Sequence, residues 1–272
     1  MPPRELASID GAITETADAA LPLPDDGLYR GDGVFEVIRL YGGRPFALAD
    51  HLARLERSAA AIALPLERNR LEAELDALLA HVGGEDAQVR IVVTRGGRRL
   101  IVAEPLRSWD ETLTLASVSY SPTVILDGVK SISYAANMHA TRLASNKGAE
   151  EALLVRPDGT VLEAPTSSIF WVTPEGRFRT PSLACGILDS ITRSRLIAGL
   201  AEAGTDVEEG EFALDDVLGA SEAFLASTTR EVQAVARIDG REFGAPGPRT
   251  REAQAVFTGV VERDVQLQGA AR

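Results

Sequence analysis

Residues Val34–Tyr41 (VFEVIRLY) alternate in the manner of a strand, whereas Asp50–Ala63 places Leu52, Leu55, Ala59 and Ile62 at helical spacing. The hydrophobic period switches between these two forms along the rest of the chain, which reads as α/β. Further strand signals fall at Ser8–Ile13, Val89–Thr94, Leu113–Tyr120, Ala152–Val155, Val161–Glu163, Ser168–Val172, Ala223–Ala226 and Val232–Ile238. Helical spacing recurs at Leu71–Val82, Met138–Ser145, Ile191–Ala203 and Ala253–Gln266. Leu21–Gly33 reads as a Pro/Asp/Gly-rich loop and Arg95–Arg99 as a basic turn. The expected organisation is an N-terminal α/β lobe over 1–116, a connection over 117–128 and a second lobe over 129–272.

A chain of 272 residues with 45% hydrophobic content can bury a substantial core. Its net charge of -12 argues against general nucleic-acid binding and against an anionic membrane surface. A small anionic ligand stays compatible, because a local pocket can differ in sign from the whole. Cys185 is the single cysteine, so no intrachain disulfide forms; it reads as a small apolar residue. No apolar run approaches the roughly 20 residues that span a bilayer. The N-terminal MPPRELASIDG lacks the charged-then-apolar order of a signal peptide, so a soluble cytoplasmic protein is expected. His51, His81 and His139 are scattered without metal-ligand spacing.

Of 28 lysines and arginines, only Lys130 and Lys147 are lysine. Arginine stays protonated in proteins and cannot act as an amine nucleophile, so a lysine spared in such a chain is a candidate for chemistry that needs one. Lys147 falls at an expected helix C-terminus, where a cation complements the helix dipole.

Six segments, in order, resemble the class IV aminotransferases, the fold-type IV pyridoxal-phosphate (PLP) enzymes. They are Gly31–Glu36 (GDGVFE), Asp50–Leu55 (DHLARL), Lys130–Asn137, Gly148–Phe170, Gly186–Arg193 and Ser227–Glu231. The family includes D-amino acid transaminases, branched-chain aminotransferases and aminodeoxychorismate lyases. The resemblance implies two α/β lobes with PLP in the interdomain cleft, a C-terminal PLP-binding lobe and a homodimer.

By the same resemblance Lys130 forms the imine with the PLP aldehyde and then moves a proton at the substrate α-carbon. Glu163 meets the pyridine nitrogen, although Ala164-Pro165 and Ser168 replace the Gly and Asn usual beyond it. Arg54, the helix start at Ile191-Thr192 and the turn Thr228-Thr229 form a phosphate cradle. Leu188 packs on the ring face and Tyr134 reaches the phenolic oxygen. Asn137 reads as structural, and His51 as orienting a helix start.

The substrate side is less determined. In D-amino acid transaminases a Thr-Arg-Gly stretch precedes an arginine that grips the substrate carboxylate, which makes Arg98 or Arg99 the candidate. Arg39 resembles the arginine of the branched-chain enzymes, and Tyr29 and Phe35 are candidate pocket residues. The resulting expectation is a transaminase acting on an amino acid, D before branched-chain L, with a 2-oxo acid such as 2-oxoglutarate or pyruvate. Lys-x-x-x-Tyr-x-x-Asn also resembles the aminodeoxychorismate lyases, which release pyruvate. A non-catalytic PLP-fold binding protein is the remaining alternative, opposed by the presence of both Lys130 and Glu163.

Overall fold

The computed structural model describes residues 5–270, with side chains through 267. Two compact units divide the chain. The first takes in the residues up to Arg107, Val129–Tyr134 and the chain from Arg263; the second holds Ser108–Gly128 and Ala135–Glu262.

In the first unit, β1 (Leu6–Ile9) and β2 (Ala12–Glu15) form a hairpin. Asp10 and Gly11 turn it with φ of 53° and 93°, the left-handed geometry that an Asp-Gly pair accommodates. The strand signal across Ser8–Ile13 is therefore two strands with a turn in the middle. A short helix, α1 (Asp26–Arg30), lies within the stretch expected as loop; Asp25 caps it, Oδ1 accepting from Gly27 N at 2.7 Å. Then come β3 (Gly33–Tyr41), β4 (Arg44–Pro45), α2 (Leu48–Ala61), α3 (Arg68–Val82), β5 (Ala87–Thr94) and β6 (Arg99–Pro105). The basic turn is thus shorter than expected: Arg99 opens β6 and pairs with Val93. The six strands form an antiparallel sheet in the order β2-β1-β6-β5-β3-β4. One face packs Val34, Ile38, Leu40, Val89, Ile91 and Ile101 against Leu52 and Leu55 of α2 and Leu71, Leu75 and Leu78 of α3. Each such buried side chain contributes roughly 1.5–3 kcal/mol, so this face holds the unit together.

The second unit begins with β7 (Thr112–Ser119), α4 (Ala135–Ser145), β8 (Glu151–Val155), β9 (Ser168–Val172) and β10 (Phe178–Pro181). It continues with α5 (Ile191–Glu202), β11 (Val207–Gly210), α6 (Leu214–Leu218), β12 (Glu222–Ser227), β13 (Glu231–Ile238), β14 (Arg241–Glu242) and α7 (Pro248–Ala270). The eight-stranded sheet runs β11-β10-β9-β12-β13-β7-β8, with β14 beside β13. It is mixed: β7 is parallel to both β8 and β13, while β9, β12 and β13 pair antiparallel. Strands β8, β9 and β12 are buried on both faces, which is why EALLV, SIFWV and EAFLAS read as near-continuous apolar runs.

Two expectations change here. Leu113–Tyr120 was divided between the first lobe and the connection, yet β7 lies inside the second sheet, between β13 and β8. Its partners are remote in sequence, so nothing local reveals the sheet it joins. Val161–Glu163 is not a regular strand. Leu154 ties it to β8, donating to Glu163 O at 2.9 Å and accepting from Leu162 N at 2.9 Å, and Val155 bridges Val161.

Candidate active site

Main-chain bonds pin Lys130 to the edge of β3. Its carbonyl accepts from Phe35 N at 3.0 Å, and Ile132 N donates to Gly33 O at 3.0 Å. Ser131 bridges Val34 in antiparallel register. Gly33 is crowded from both sides: a Cβ there would stand 2.4 Å from Val93 O of β5 and 2.9 Å from Ile132 Cδ1 of the Lys130 segment. The Lys130 amine lies 4.4 Å from the centre of the Phe35 ring, which meets Tyr134 edge-on at 5.4 Å. Lys130, Phe35 and Tyr134 therefore stand together.

Helix α2 supports the same segment. His51, Arg54 and Ser58, spaced by three and four residues, share one buried face beside the apolar stripe of Leu52, Leu55 and Ala59. Ser58 Oγ accepts from Lys130 N at 3.1 Å. Arg54 donates from Nε and Nη2 to the two oxygens of Glu36, each at 2.7 Å, and His51 Nδ1 reaches Glu36 Oε2 at 2.8 Å. Burial opposes the Glu36 charge, but the bonds from Arg54 and His51 outweigh it and hold its carboxyl at about 2. Burial pushes His51 down from its ordinary value despite the bond to Glu36, which leaves a neutral ring. With Glu36 ionised, Nδ1 is the donor, and the buried Nε2 has no hydrogen-bond partner among the described residues. Glu36 and Ser58 were not anticipated. Glu36 falls in the core-facing register of β3 between Val34 and Ile38, where a carboxylate needs partners, but the packing of α2 is what identifies those partners and brings in Ser58.

In the second unit, Glu163 Oε1 accepts from Leu188 N at 3.1 Å, so the irregular stretch after β8 and the turn before α5 meet at this carboxylate. Tyr120 is nearby: burial, and secondarily the Glu163 charge, push its phenol upward. Ile191 and Thr192 are buried at the start of α5, whose cap is Ser190. The first N–H groups of a helix lack intrahelical acceptors and suit an anion. Thr228 and Thr229 sit half-buried in the β12–β13 turn. Arg230 anchors that turn: it lies 3.7 Å over the Trp109 ring, bonds Glu151 at 3.0 Å and Gln233 at 2.6 Å. Asn137 donates to Pro165 O at 3.2 Å, beside the Glu163 stretch.

The substrate-side candidates are dispersed. Arg99 is buried and forks onto Glu74 at 2.9 and 3.0 Å; Arg98 meets Asp10 at 2.8 Å. Arg95 forks onto Asp32 at 3.0 and 3.2 Å. Arg39 approaches Asp86 at 3.8 Å and lies 4.5 Å over the Tyr41 ring. Tyr29 is exposed on α1.

A family model for amino-transferase class IV matches residues 33–238. The chain belongs to the class IV aminotransferases. A D-alanine aminotransferase of Bacillus licheniformis is 32% identical over 269 residues, covering 91% of this chain and 94% of that one. An aminodeoxychorismate lyase of Bacillus subtilis is 28% identical over 96% of both chains. A branched-chain aminotransferase of Thermoproteus uzoniensis, solved with norvaline, superposes with a TM-score of 0.87 at 28% identity, over 97% of each chain.

As a class IV aminotransferase the protein is a PLP-dependent transferase of fold type IV. Its own donors fit that cofactor: a primary amine among buried partners, a carboxylate oriented by a backbone N–H, and a helix start rich in hydroxyls. Ser167 and Ser168, just beyond Glu163, keep buried hydroxyls without partners among the described residues, a further sign of polar lining left unsatisfied. Among the described residues no helix is long and apolar enough to cross a membrane.

Proposed function

We propose that this aminotransferase moves an amino group between an amino acid, of D configuration by preference, and a 2-oxo acid such as pyruvate or 2-oxoglutarate. The observation that carries the reading is the seat of Lys130. Its amine is held over Phe35 by an irregular segment fixed to both β3 and α2. Bound PLP supplies an aldehyde that condenses with primary amines and a ring that accepts the electron pair left at the substrate α-carbon. Lys130 would hold the cofactor through its aldehyde, and its Nζ would move the proton at the substrate α-carbon. Glu163 keeps a proton on the ring nitrogen. Arg54, the α5 start at Ile191 and Thr192, and Thr228 with Thr229 bind the phosphate; Leu188 packs on the ring and Tyr134 meets the phenolic oxygen. Phe35 lines the substrate pocket. Support for D-amino acids comes from the D-alanine aminotransferase relative and the Gly31-Asp32-Gly33 and Thr94-Arg95-Gly96 stretches. The likeness to a branched-chain enzyme with norvaline supports L-specificity as the second reading. We further propose a cytoplasmic homodimer.

Mixing the PLP-loaded protein with D-alanine should bleach its visible absorbance, and pyruvate should restore it. Bleaching by L-leucine alone would transfer the preference to branched-chain substrates. Turnover of aminodeoxychorismate alone, with pyruvate released, would replace the transaminase reading with the lyase reading that the Bacillus subtilis relative supports. Lys130→Ala should lack the visible absorbance; its persistence in the mutant would overturn the role of Lys130.

A further inference from the structure

Glu36 occupies a register of β3 that Val34, Ile38 and Leu40 fill with apolar side chains. A buried ion pair there adds little to stability over well-packed apolar residues, so packing alone does not account for it. Its geometry is specific. Both Glu36 oxygens receive Arg54, through Nε and Nη2, which fixes the plane and rotation of the guanidinium. His51, one turn earlier on α2, holds Glu36 from the other side at Oε2. One turn later, Ser58 holds the main chain of Lys130. A single helix face thus sets the guanidinium of Arg54 and the segment that carries the amine of Lys130.

We propose that Glu36, seated by His51, is a positioning residue that presets Arg54 for the phosphate dianion of PLP, in register with Lys130. This rests on the reading of Arg54 as a phosphate residue. A guanidinium whose rotamer is fixed beforehand loses less freedom when the anion arrives, so the phosphate contributes more to binding. Without Glu36 the arginine stays charged but loses its orientation, while capture of the aldehyde by Lys130 is unaffected.

The test titrates the apo-protein with PLP and with pyridoxal, which carries the same aldehyde and no phosphate. The absorbance that appears when Lys130 captures the aldehyde gives each dissociation constant, and their ratio isolates the phosphate. Arg54→Met should lower the ratio more than any other variant. Glu36→Gln should lower it about tenfold, the scale of one charge-assisted hydrogen bond, and leave pyridoxal affinity within about twofold. His51→Gln should lower it by a smaller factor. An unchanged ratio in Arg54→Met would remove Arg54 from the phosphate and the inference with it. A lowered ratio in Arg54→Met with an unchanged or raised one in Glu36→Gln would overturn the inference alone. So would a parallel loss of both affinities tracking a fall in Tm, which is what a purely structural Glu36 predicts. If Glu36→Gln does not fold, Glu36→Asp decides on the same terms, since it keeps the charge but withdraws the carboxylate by one methylene.

Discussion

At the scale of single residues, the pairs buried in the first unit give the protein a defined acid response. His51 is held below its ordinary value, so the unfolded chain takes up its proton first and stability begins to fall as pH drops through about 6.5. Glu36 is held at about 2 against 4.5 when unpaired, so its contribution is complete above about 4.5 and is lost as pH falls towards 2. That contribution is on the order of 3 kcal/mol. Denaturant unfolding at a series of pH values should show the wild type losing stability through both windows, and Glu36→Gln should lack the lower one. Arg98 or Arg99 is the sequence's candidate for a carboxylate grip in the substrate site. The Arg99 side chain is spent on the buried Glu74, and removing it leaves that carboxylate to the more exposed Arg70 at 3.3 Å. Arg99→Ala should cost up to about 3 kcal/mol in unfolding experiments and leave KM for the amino donor near the wild-type value. A sequence gives the arginine; only the fold says which carboxylate already holds it.

At the scale of elements, the site depends on one strand edge and one helix. Gly33 lets β3 lie against β5: a side chain there meets the backbone of Val93 at 2.4 Å, which cannot yield as a flexible side chain would, and it also meets Ile132 of the Lys130 segment at 2.9 Å. Gly33→Val should therefore destabilise by roughly 1–3 kcal/mol and weaken visible absorbance on PLP addition, measured by thermal unfolding and titration. Ser58→Ala, which removes a single bond to Lys130 N, should cost only about 1 kcal/mol. The helix carrying His51, Arg54 and Ser58 was legible from Leu52, Leu55 and Ala59, because a 3.6-residue period is written locally. The strand β6 was not. Its alternation begins at Arg99, a residue whose charge reads as turn or surface until Glu74 of α3 is seen against it.

At the scale of the whole molecule, each unit carries its own core. A ligand that binds only the folded protein stabilises it by mass action: at 100 times its Kd, PLP should add about 2.7 kcal/mol. Thermal unfolding should show a rise in Tm with PLP for wild type and a much smaller one for Lys130→Ala. Sedimentation equilibrium should give twice the chain mass if the proposed dimer holds; a single-chain mass at micromolar concentration would remove it.

The chemistry of this protein was determined by the sequence itself. An amine nucleophile requires lysine, an arginine cannot substitute for it, and Lys130 stands with Glu163 and the hydroxyl-rich turns in an order that marks the family. Those are properties of residue type and spacing, and they survive without coordinates. The tertiary structure decided what those residues lean on. Glu36 and Ser58 came into view only when β3 and α2 were packed, Arg99 left the candidate substrate residues only when Glu74 met it, and β7 joined the second sheet through partners far along the chain. Each of these is a contact between residues remote in sequence, where local period and composition carry no information about which partner is chosen.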